Sequence, residues 1–342
     1  MKEVKQIVFT KPYTAEYLTV KHVDFDSIAD NEVVVKTVYS TISAGTERAN
    51  YVGEKAVSVF SDAEIPFPRT VGYSCSGDVV AIGKKVSKVK VGDRVSVYWS
   101  KHVNYNIVPE ANVVKIENDN VSYEDSAVAL IATFPLAAIR KVNLEIGESM
   151  MVMGLGILGQ LAVMLARAAG AYPVIACDIV KERRDEALKN GADFAFDPTE
   201  VGFSDKIKEL TNGGVKTAIE VTGLGAGLNQ ALDCMAKLGR IALLGCTRSS
   251  DFTVDYYHKV HGPGITLVGA HTSARPEVES YPSYFTHEDD MKTVLRLCGG
   301  NRLPISNLLK EKVMPHDCQK VFDRLANDRN FPIGVQFDWT KE

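Results

Sequence analysis

The sequence predicts an α/β fold in which a doubly wound parallel sheet of six strands follows a β-rich first third. Two observations carry this prediction. Residues 1 to about 125 contain short β-branched and aromatic runs separated by turn residues. From residue 149 onward, apolar runs of strand length alternate with segments whose apolar residues repeat at helical spacing. The 342 residues are enough for two domains with separate cores.

The first third is expected to form a small barrel or sandwich. Turn signals such as Val91-Gly92-Asp93 separate its strands. A helical stretch from Tyr123 to Val142 follows, and Pro135 is expected to kink it or to begin its second helix. The predicted strands are Lys5–Phe9, Glu32–Ser40, Cys75–Ile82, Arg94–Tyr98 and Tyr105–Pro109.

A glycine-rich loop between a strand and a helix is the most specific motif of the chain. Met150 to Met153 form a short apolar run, and Gly154-Leu155-Gly156-Ile157-Leu158-Gly159 follows it. Gly154 permits a tight turn, Gly156 lets the backbone approach a pyrophosphate at the helix N-terminus, and Gly159 lets helix and strand pack closely. The motif alone is weak evidence, but strand, loop, helix and second strand follow in the order that a dinucleotide site requires.

The second strand, Val174 to Cys177, ends on Asp178, where an acid that binds the ribose 2′-hydroxyl is expected. A carboxylate there repels the 2′-phosphate of NADP, so NAD(H) is the predicted cofactor. Lys181, Arg183 and Arg184 either soften this preference or form the polar face of the next helix. The alternative interpretation of Asp178 is a solvated carboxylate at a strand end.

The alternation of strands and helices continues to residue 269, and the character of the sequence then changes. The remaining predicted strands of the parallel sheet are Asp193–Phe196, Thr217–Val221, Arg240–Leu244 and Ile265–Gly269, and the helices between them are Lys181–Asn190, Asp205–Thr211 and Leu228–Lys237. After an irregular segment, we expect helices Met291–Cys298 and Cys318–Asn327 and a closing strand Ile333–Trp339.

Composition excludes several classes of function. Lys and Arg number 39 against 43 Asp and Glu, and no basic run marks a polyanion-binding surface, so nucleic acid is not an expected partner. No window reaches the ~18 uninterrupted apolar residues of a membrane span, and the N-terminus lacks a signal-peptide core. We therefore expect a cytoplasmic protein without a membrane partner. Its six cysteines are dispersed, as is typical of reduced, buried thiols.

Five motifs, in order, resemble those of the medium-chain dehydrogenase/reductase superfamily over essentially the whole chain. They are Ser43-Ala44-Gly45-Thr46-Glu47, similar to a CGTD turn; Gly72–Val79, similar to a GHExxGxV strand; the turn Val91–Val95; the glycine loop Gly154–Gly159; and Glu220-Val221-Thr222-Gly223. The resemblance implies a GroES-like catalytic domain at residues 1–130, completed by a return at residues 271–342, and a Rossmann domain at residues 131–270. It also implies a homodimer or homotetramer that acts on a small-molecule substrate.

The sequence departs from this family at the metal positions. Zinc members hold the catalytic metal with a Cys, a His beside a Glu, and a later Cys, and the matching residues here are Ala44, Tyr73 with Ser74, and Ala129. The four-cysteine lobe that holds a structural zinc is also missing after Val95. We therefore expect neither zinc site.

Without a Lewis acid, another group has to stabilise charge on the substrate oxygen. Tyr73 stands where the resemblance places the ligand histidine, and it is the first candidate for proton transfer; otherwise it is a pocket-lining aromatic. Thr46 matches a proton-relaying hydroxyl, or else it caps a turn. Glu47 is expected to pair with Arg48.

Lys101 and His102 are further candidates for a positive charge or a proton exit. The alternative for His102 is a structural role. The resemblance also implies cofactor contacts. The nicotinamide is expected between Thr133 and Leu158, with the backbone of His271 holding its carboxamide. The other expected cofactor-binding residues are Gly154, Gly156, Ile157, Gly159, Asp178, Val221, Thr222, Leu244, Gly245 and Cys246.

These observations favour a zinc-independent, NAD(H)-dependent dehydrogenase that interconverts a secondary alcohol and a ketone. The polar candidates suit a sugar, a polyol or another hydroxylated ring compound. One alternative is an NAD(P)H-dependent enone or quinone reductase, although relatives of that kind usually use NADPH, which Asp178 disfavours. The other alternative is a nucleotide-binding redox sensor without catalysis.

Overall fold

The computed structural model describes residues 1–55, 58, 65–248 and 252–342. These residues divide into two compact units, Met1–Ile131 with Met291–Glu342, and Ala132–Asp290. Residues 271–290, which the sequence analysis assigned to the C-terminal return, lie in the second unit.

Within the described residues, the elements follow one another as two series. The strands are β1 Lys2–Lys11, β2 Thr14–Val23, β3 Glu32–Thr41, β4 Arg69–Thr70, β5 Ser74–Ile82, β6 Arg94–Tyr98, β7 Tyr105–Pro109, β8 Val113–Lys115, β9 Met150–Met153, β10 Val174–Cys177, β11 Phe194–Phe196, β12 Val215–Glu220, β13 Met235–Leu243, β14 Thr266–Gly269, β15 Leu309–Val313 and β16 Gly334–Asp338. The α-helices are α1 Ala44–Val52, α2 Tyr123–Ser126, α3 Ala129–Lys141, α4 Ile157–Ala168, α5 Lys181–Lys189, α6 Phe203–Leu210, α7 Gly225–Asp233, α8 His287–Gly299 and α9 Cys318–Asn327.

The first unit is built on a seven-stranded sheet, in the order β15-β16-β3-β5-β6-β8 with β7 also paired to β3, and on a three-stranded sheet β2-β1-β4. Its aromatic core joins both ends of the sequence. The ring of Phe9 lies 5.1 Å from that of Tyr51 and 4.7 Å from that of Phe322. Strand β16 pairs antiparallel with β3. The C-terminal strand therefore completes the sheet that carries the candidate residues of the first unit.

The second unit contains the predicted six-stranded parallel sheet, in the order β11-β10-β9-β12-β13-β14. Every residue of the two strands β9 and β10 is buried, as expected for a sheet covered on both faces. Their observed bounds, Met150–Met153 and Val174–Cys177, are those predicted from the sequence. The α/β fold class is confirmed.

Three local predictions differ from the structure. The segment at Ser43 is the N-terminal end of helix α1 and not an isolated turn. Helix α3 runs through Pro135, and the break in this helical stretch falls earlier, where the N–H of Ala127 bonds to the carbonyl of Tyr123 and closes α2. Helix α7 stops at Asp233 and strand β13 begins at Met235, because parallel pairing with β12 overrides the helical spacing of the apolar residues.

Strands β2 and β15 were not predicted, nor were the two short strands β4 and β8. Most of β2 is exposed, and β15 carries three consecutive charged residues, so neither of these two strands shows the apolar run that marks a buried strand. Five of the cysteines are buried thiols and Cys246 is exposed. None of the described helices is long and apolar enough to cross a membrane.

Candidate functional site

The glycine loop after β9 has three positions with different steric surroundings. Gly154 has φ +98°, and a Cβ there would lie 2.9 Å from Cγ2 of Thr222. A Cβ at Gly159 would lie 1.9 Å from the carbonyl oxygen of Gly154, whereas one at Gly156 would meet nothing within 4 Å. The first glycine makes the turn, the third permits close packing, and the second leaves open space.

Helix α4 begins directly after this open position, at Ile157, and Gly156 caps it. Leu158 follows in the same first turn, where the backbone N–H groups have no partner within the helix. Those N–H groups and the helix dipole favour an anion. The loop therefore fits the pyrophosphate of a dinucleotide.

Alanine at Gly156 and alanine at Gly159 should have different effects on the free energy of unfolding and on the affinity for NADH. Gly156→Ala is expected to leave the free energy of unfolding within about 0.5 kcal/mol of the wild type, because its Cβ meets no neighbour, yet to block cofactor approach. Gly159→Ala is expected to cost about 1–3 kcal/mol through overpacking. Urea unfolding and NADH titration measure both effects. Unchanged NADH affinity in Gly156→Ala would argue against the cofactor site.

Asp178 follows β10 and is only 8% exposed. One carboxylate oxygen accepts a hydrogen bond of 2.7 Å from the N–H of Leu155, and the other accepts one of 2.8 Å from the N–H of Val180. Arg183 lies 3.9 Å away, and the guanidinium of Arg184 bonds to the carbonyl of Asp178. The carboxylate is thus fixed to the glycine loop and is not a solvated group at a strand end.

Glu220, at the end of β12, organises two further loops. Its buried carboxylate accepts hydrogen bonds from the N–H of Thr222 at 2.7 Å and from the N–H of Gly223 at 3.1 Å. Its carbonyl accepts the N–H groups of Leu244 and Gly245, both at 2.9 Å. Burial raises the pKa of this carboxyl.

Glu220 was not among the predicted site residues, although it stands in the quoted Glu-Val-Thr-Gly motif. Its role depends on hydrogen bonds to the backbone of two loops, and beyond this motif nothing in the sequence indicates those bonds. The structure brings the predicted cofactor residues Val221, Thr222, Leu244 and Gly245 together around it. Cys246 follows them as an exposed residue.

His271 lies in the loop after β14. Its Nδ1 accepts the N–H of Ser273 at 3.2 Å and lies 2.6 Å from the Ser273 hydroxyl, so the ring proton belongs on Nε2. Burial and the nearby Lys141 lower the pKa of His271. Thr133, in helix α3, is fully buried, and its carbonyl accepts a hydrogen bond from Arg275.

In the first unit, Tyr73 precedes β5 and is half-buried. Its phenol hydrogen-bonds to the hydroxyl of Ser43, the residue that precedes α1. The ring of Trp99 lies 6.0 Å from that of Tyr73. The sequence marks Ser43 only as part of a motif, because its contact with Tyr73 depends on the pairing of distant strands. The two hydroxyl groups form a pair that can pass a proton.

Glu47 and His102 form a buried pair beneath Ser43. Their side chains are 2% and 0% exposed, and 3.0 Å separates Oε2 of Glu47 from Nε2 of His102. The other carboxylate oxygen accepts the N–H of Ser43 at 2.8 Å, and Nδ1 of His102 lies 2.7 Å from the hydroxyl of Ser40. Trp339 donates to the same Ser40 hydroxyl at 2.8 Å.

This network supports the structural role for His102 and a positioning role for Glu47, because neither side chain reaches solvent. The expected pairing of Glu47 with Arg48 is wrong, since Arg48 lies 3.7 Å from Glu54 instead. Lys101 is exposed and does not join the network; its backbone N–H bonds to Asn106. Thr46 is half-buried in the first turn of α1.

The positions that would hold zinc do not fit that metal. Ala44 opens α1 and Ala129 opens α3, and neither alanine has a donor atom in its side chain. Across residues 1–55, 58, 65–248 and 252–342, no group of three or more His, Cys, Asp or Glu could hold a metal ion.

A six-stranded parallel sheet whose glycine loop and strand-end acid lie side by side defines a dinucleotide-binding α/β protein. Residues 29–127 match the family model of the alcohol dehydrogenase GroES-like domain, and residues 158–286 match that of the zinc-binding dehydrogenase. The chain belongs to the medium-chain dehydrogenase/reductase superfamily.

Among its relatives is an L-threonine 3-dehydrogenase of Pyrococcus horikoshii, 28% identical over 77% of this chain and 81% of the relative. A D-guloside 3-dehydrogenase of Escherichia coli is 27% identical over 82% of this chain and 84% of its own length. The crystal structure of 2R,3R-butanediol dehydrogenase from Bacillus subtilis superimposes with a TM-score of 0.82 at 22% identity, covering 98% of this chain and 99% of that one. The last likeness concerns the fold.

Proposed function

We propose that this protein is an NAD(H)-dependent oxidoreductase that interconverts a secondary alcohol and a ketone without zinc. The observation that carries the proposal is the open position at Gly156 beside the fixed carboxylate of Asp178. The curated relatives bear the names of dehydrogenases of hydroxylated compounds, which supports oxidation at a CH–OH group.

The second unit binds and orients the cofactor. The N–H groups at the start of α4 hold the pyrophosphate, Asp178 selects the ribose diol, and Glu220 holds the two loops that follow β12 and β13. A nicotinamide cofactor held by these residues would supply the hydride acceptor for oxidation of the alcohol carbon and the hydride donor for reduction of the ketone carbon.

Residues of the first unit transfer the proton of the alcohol oxygen. Oxidation takes a hydride from carbon and a proton from oxygen, so a group has to accept that proton. Tyr73 is the proposed acceptor: as the phenolate it takes the proton of the alcohol, and as the neutral phenol it returns that proton to the ketone oxygen in the reverse direction. The hydroxyl of Ser43 hydrogen-bonds to this phenol. Glu47 holds the backbone N–H of Ser43 and so positions this pair.

A sugar, a polyol or another hydroxylated ring compound is the proposed substrate class. The name of the D-guloside 3-dehydrogenase relative supports a sugar derivative. A panel of polyols, sugars, cyclic alcohols and threonine with NAD tests the activity. If the protein turns over an enone faster than any ketone, reduction of a C=C bond is the better assignment.

The choice of cofactor should depend on Asp178. Asp178→Ser is expected to weaken NAD binding by about 1–3 kcal/mol and to narrow the gap to NADP, because a ribose hydrogen bond is lost and the repulsion of a 2′-phosphate is relieved. Titration of both cofactors against wild type and variant measures the change. A wild type that already prefers NADP would contradict the assignment.

Purified protein is expected to contain no stoichiometric zinc, and a chelator should leave turnover unchanged. The reason is the donor set, in which alanines stand at two ligand positions. Metal analysis by mass spectrometry provides the measurement. One tightly bound zinc per chain would contradict zinc independence while leaving the dehydrogenase assignment in place.

We also propose that the chain forms a homodimer or homotetramer. Strand β14 is the last strand in the order of its sheet, and Leu267 on it is 40% exposed. Sedimentation velocity distinguishes these assemblies from a monomer.

A further inference from the structure

Lys141, the last residue of helix α3, is a buried cation with an unusual set of partners. Its side chain is only 5% exposed. The ammonium donates to the carbonyl of Gly269 at 3.1 Å and to the carbonyl of Ala274. These carbonyls lie on either side of His271, so one amine binds both ends of the loop that follows β14.

A second cation fastens the same loop to the N-terminal half of helix α3. Arg275 donates to the carbonyl of Thr272 at 3.0 Å and to the carbonyl of Thr133 at 3.3 Å. Its third contact is the fully buried carboxylate of Asp290, at 3.1 Å, which Arg140 also binds at 2.9 Å. The loop is therefore held along α3 at two points.

Stability alone does not account for Lys141. A buried ammonium that binds carbonyl groups loses its hydration, and an apolar side chain of similar volume is often at least as stabilising. What the ammonium provides and an apolar group cannot is a fixed geometry for two carbonyl groups. Burial and the neighbouring Arg275 lower the pKa of Lys141, which is the expected sign of that desolvation.

The order of the strands in the sheet indicates which part of the cofactor this loop would face. Asp178 follows β10 and the glycine loop follows β9, so the adenosine ribose and the pyrophosphate are assigned to those strands. Ligands of parallel sheets bind beyond the carboxyl ends of the strands. The rest of an extended dinucleotide then lies beyond β12, β13 and β14, the strands on the other side of β9.

We propose that Lys141 is a positioning residue that sets the affinity for the nicotinamide half of the cofactor by fixing the loop from Gly269 to Ala274. Arg275 assists by holding this loop to the backbone of Thr133. The adenosine half does not depend on either residue. This inference rests on the proposed NAD(H) function.

The test compares NADH with ADP-ribose, which has the same adenosine and pyrophosphate but no nicotinamide. Lys141→Met, which keeps the length of the side chain and removes the charge, is expected to raise the Kd for NADH about 10-fold, as for the loss of about 1.4 kcal/mol. The Kd for ADP-ribose should stay within about 2-fold of the wild type. Lys206→Met, at a half-exposed lysine of α6, is the matched control.

Equal weakening of NADH and ADP-ribose in Lys141→Met would overturn the inference, since it would show a general structural role. Unchanged NADH affinity would overturn it too. If Lys141→Met does not fold, Arg275→Lys decides: it keeps a charge beside Asp290 but shortens the reach to Thr133, so the same selective loss is expected. Absence of ADP-ribose binding in the wild type would instead contradict the proposed function.

Discussion

Replacing Tyr73 with phenylalanine should lower the turnover of the alcohol substrate by about 10²- to 10⁴-fold, the usual contribution of general acid-base catalysis. The change removes the hydroxyl that bonds to Ser43 and keeps the ring beside Trp99. Cofactor affinity and the free energy of unfolding should change little. Steady-state kinetics, NADH titration and urea unfolding measure the three quantities.

Two further variants show whether the loss belongs to the proton. Ser43→Ala should produce a smaller defect, because Tyr73 keeps its own hydroxyl. Thr46→Val tests the relay that the family resemblance implies. If Tyr73→Phe retains near-normal turnover while Thr46→Val or Lys101→Met abolishes it, Tyr73 is a wall of the pocket and the proton takes another route.

Replacing His102 with leucine should lower the free energy of unfolding by about 3–5 kcal/mol, because the change leaves the carboxylate of Glu47 buried without its imidazole partner. The hydroxyl of Ser40 also loses a neighbour. Lys101→Met is the matched control: it alters an adjacent exposed side chain and should cost about 0.5 kcal/mol or less.

Denaturant unfolding of both variants gives the comparison. A stable His102→Leu protein with abolished turnover would contradict the structural role and would make His102 a candidate catalytic residue again. Equal small effects in both variants would mean that the buried pair contributes little to the native state.

The parallel sheet could be predicted from sequence because most of its strands are short, apolar and bounded by glycine or an acid. Met150–Met153 and Val174–Cys177 show this signal with no competing pattern. The bounds of β13 could not be predicted, since Met235 and Ala236 fit a helix face as well as a buried strand and only pairing with β12 decides between them.

The cofactor loop was accessible to sequence reasoning because its steric demands are local. The surroundings of Gly154, Gly156 and Gly159 follow from one turn and one helix start. The roles of Ser43 and Glu220 were not accessible. Ser43 hydrogen-bonds to Tyr73, 30 positions away, and the carbonyl of Glu220 accepts the N–H groups of Leu244 and Gly245, so these contacts form only in the folded chain.

The pairing of β16 with β3 implies an order of events during synthesis. Gln336 lies opposite Thr41, so the sheet that carries Tyr73 is incomplete until a ribosome has made nearly all of this sequence. The six parallel strands, by contrast, lie between residues 150 and 269 and are all available earlier. We therefore expect the second unit, Ala132–Asp290, to fold first. Part of the edge of β3 stays unpaired until β16 has been synthesised.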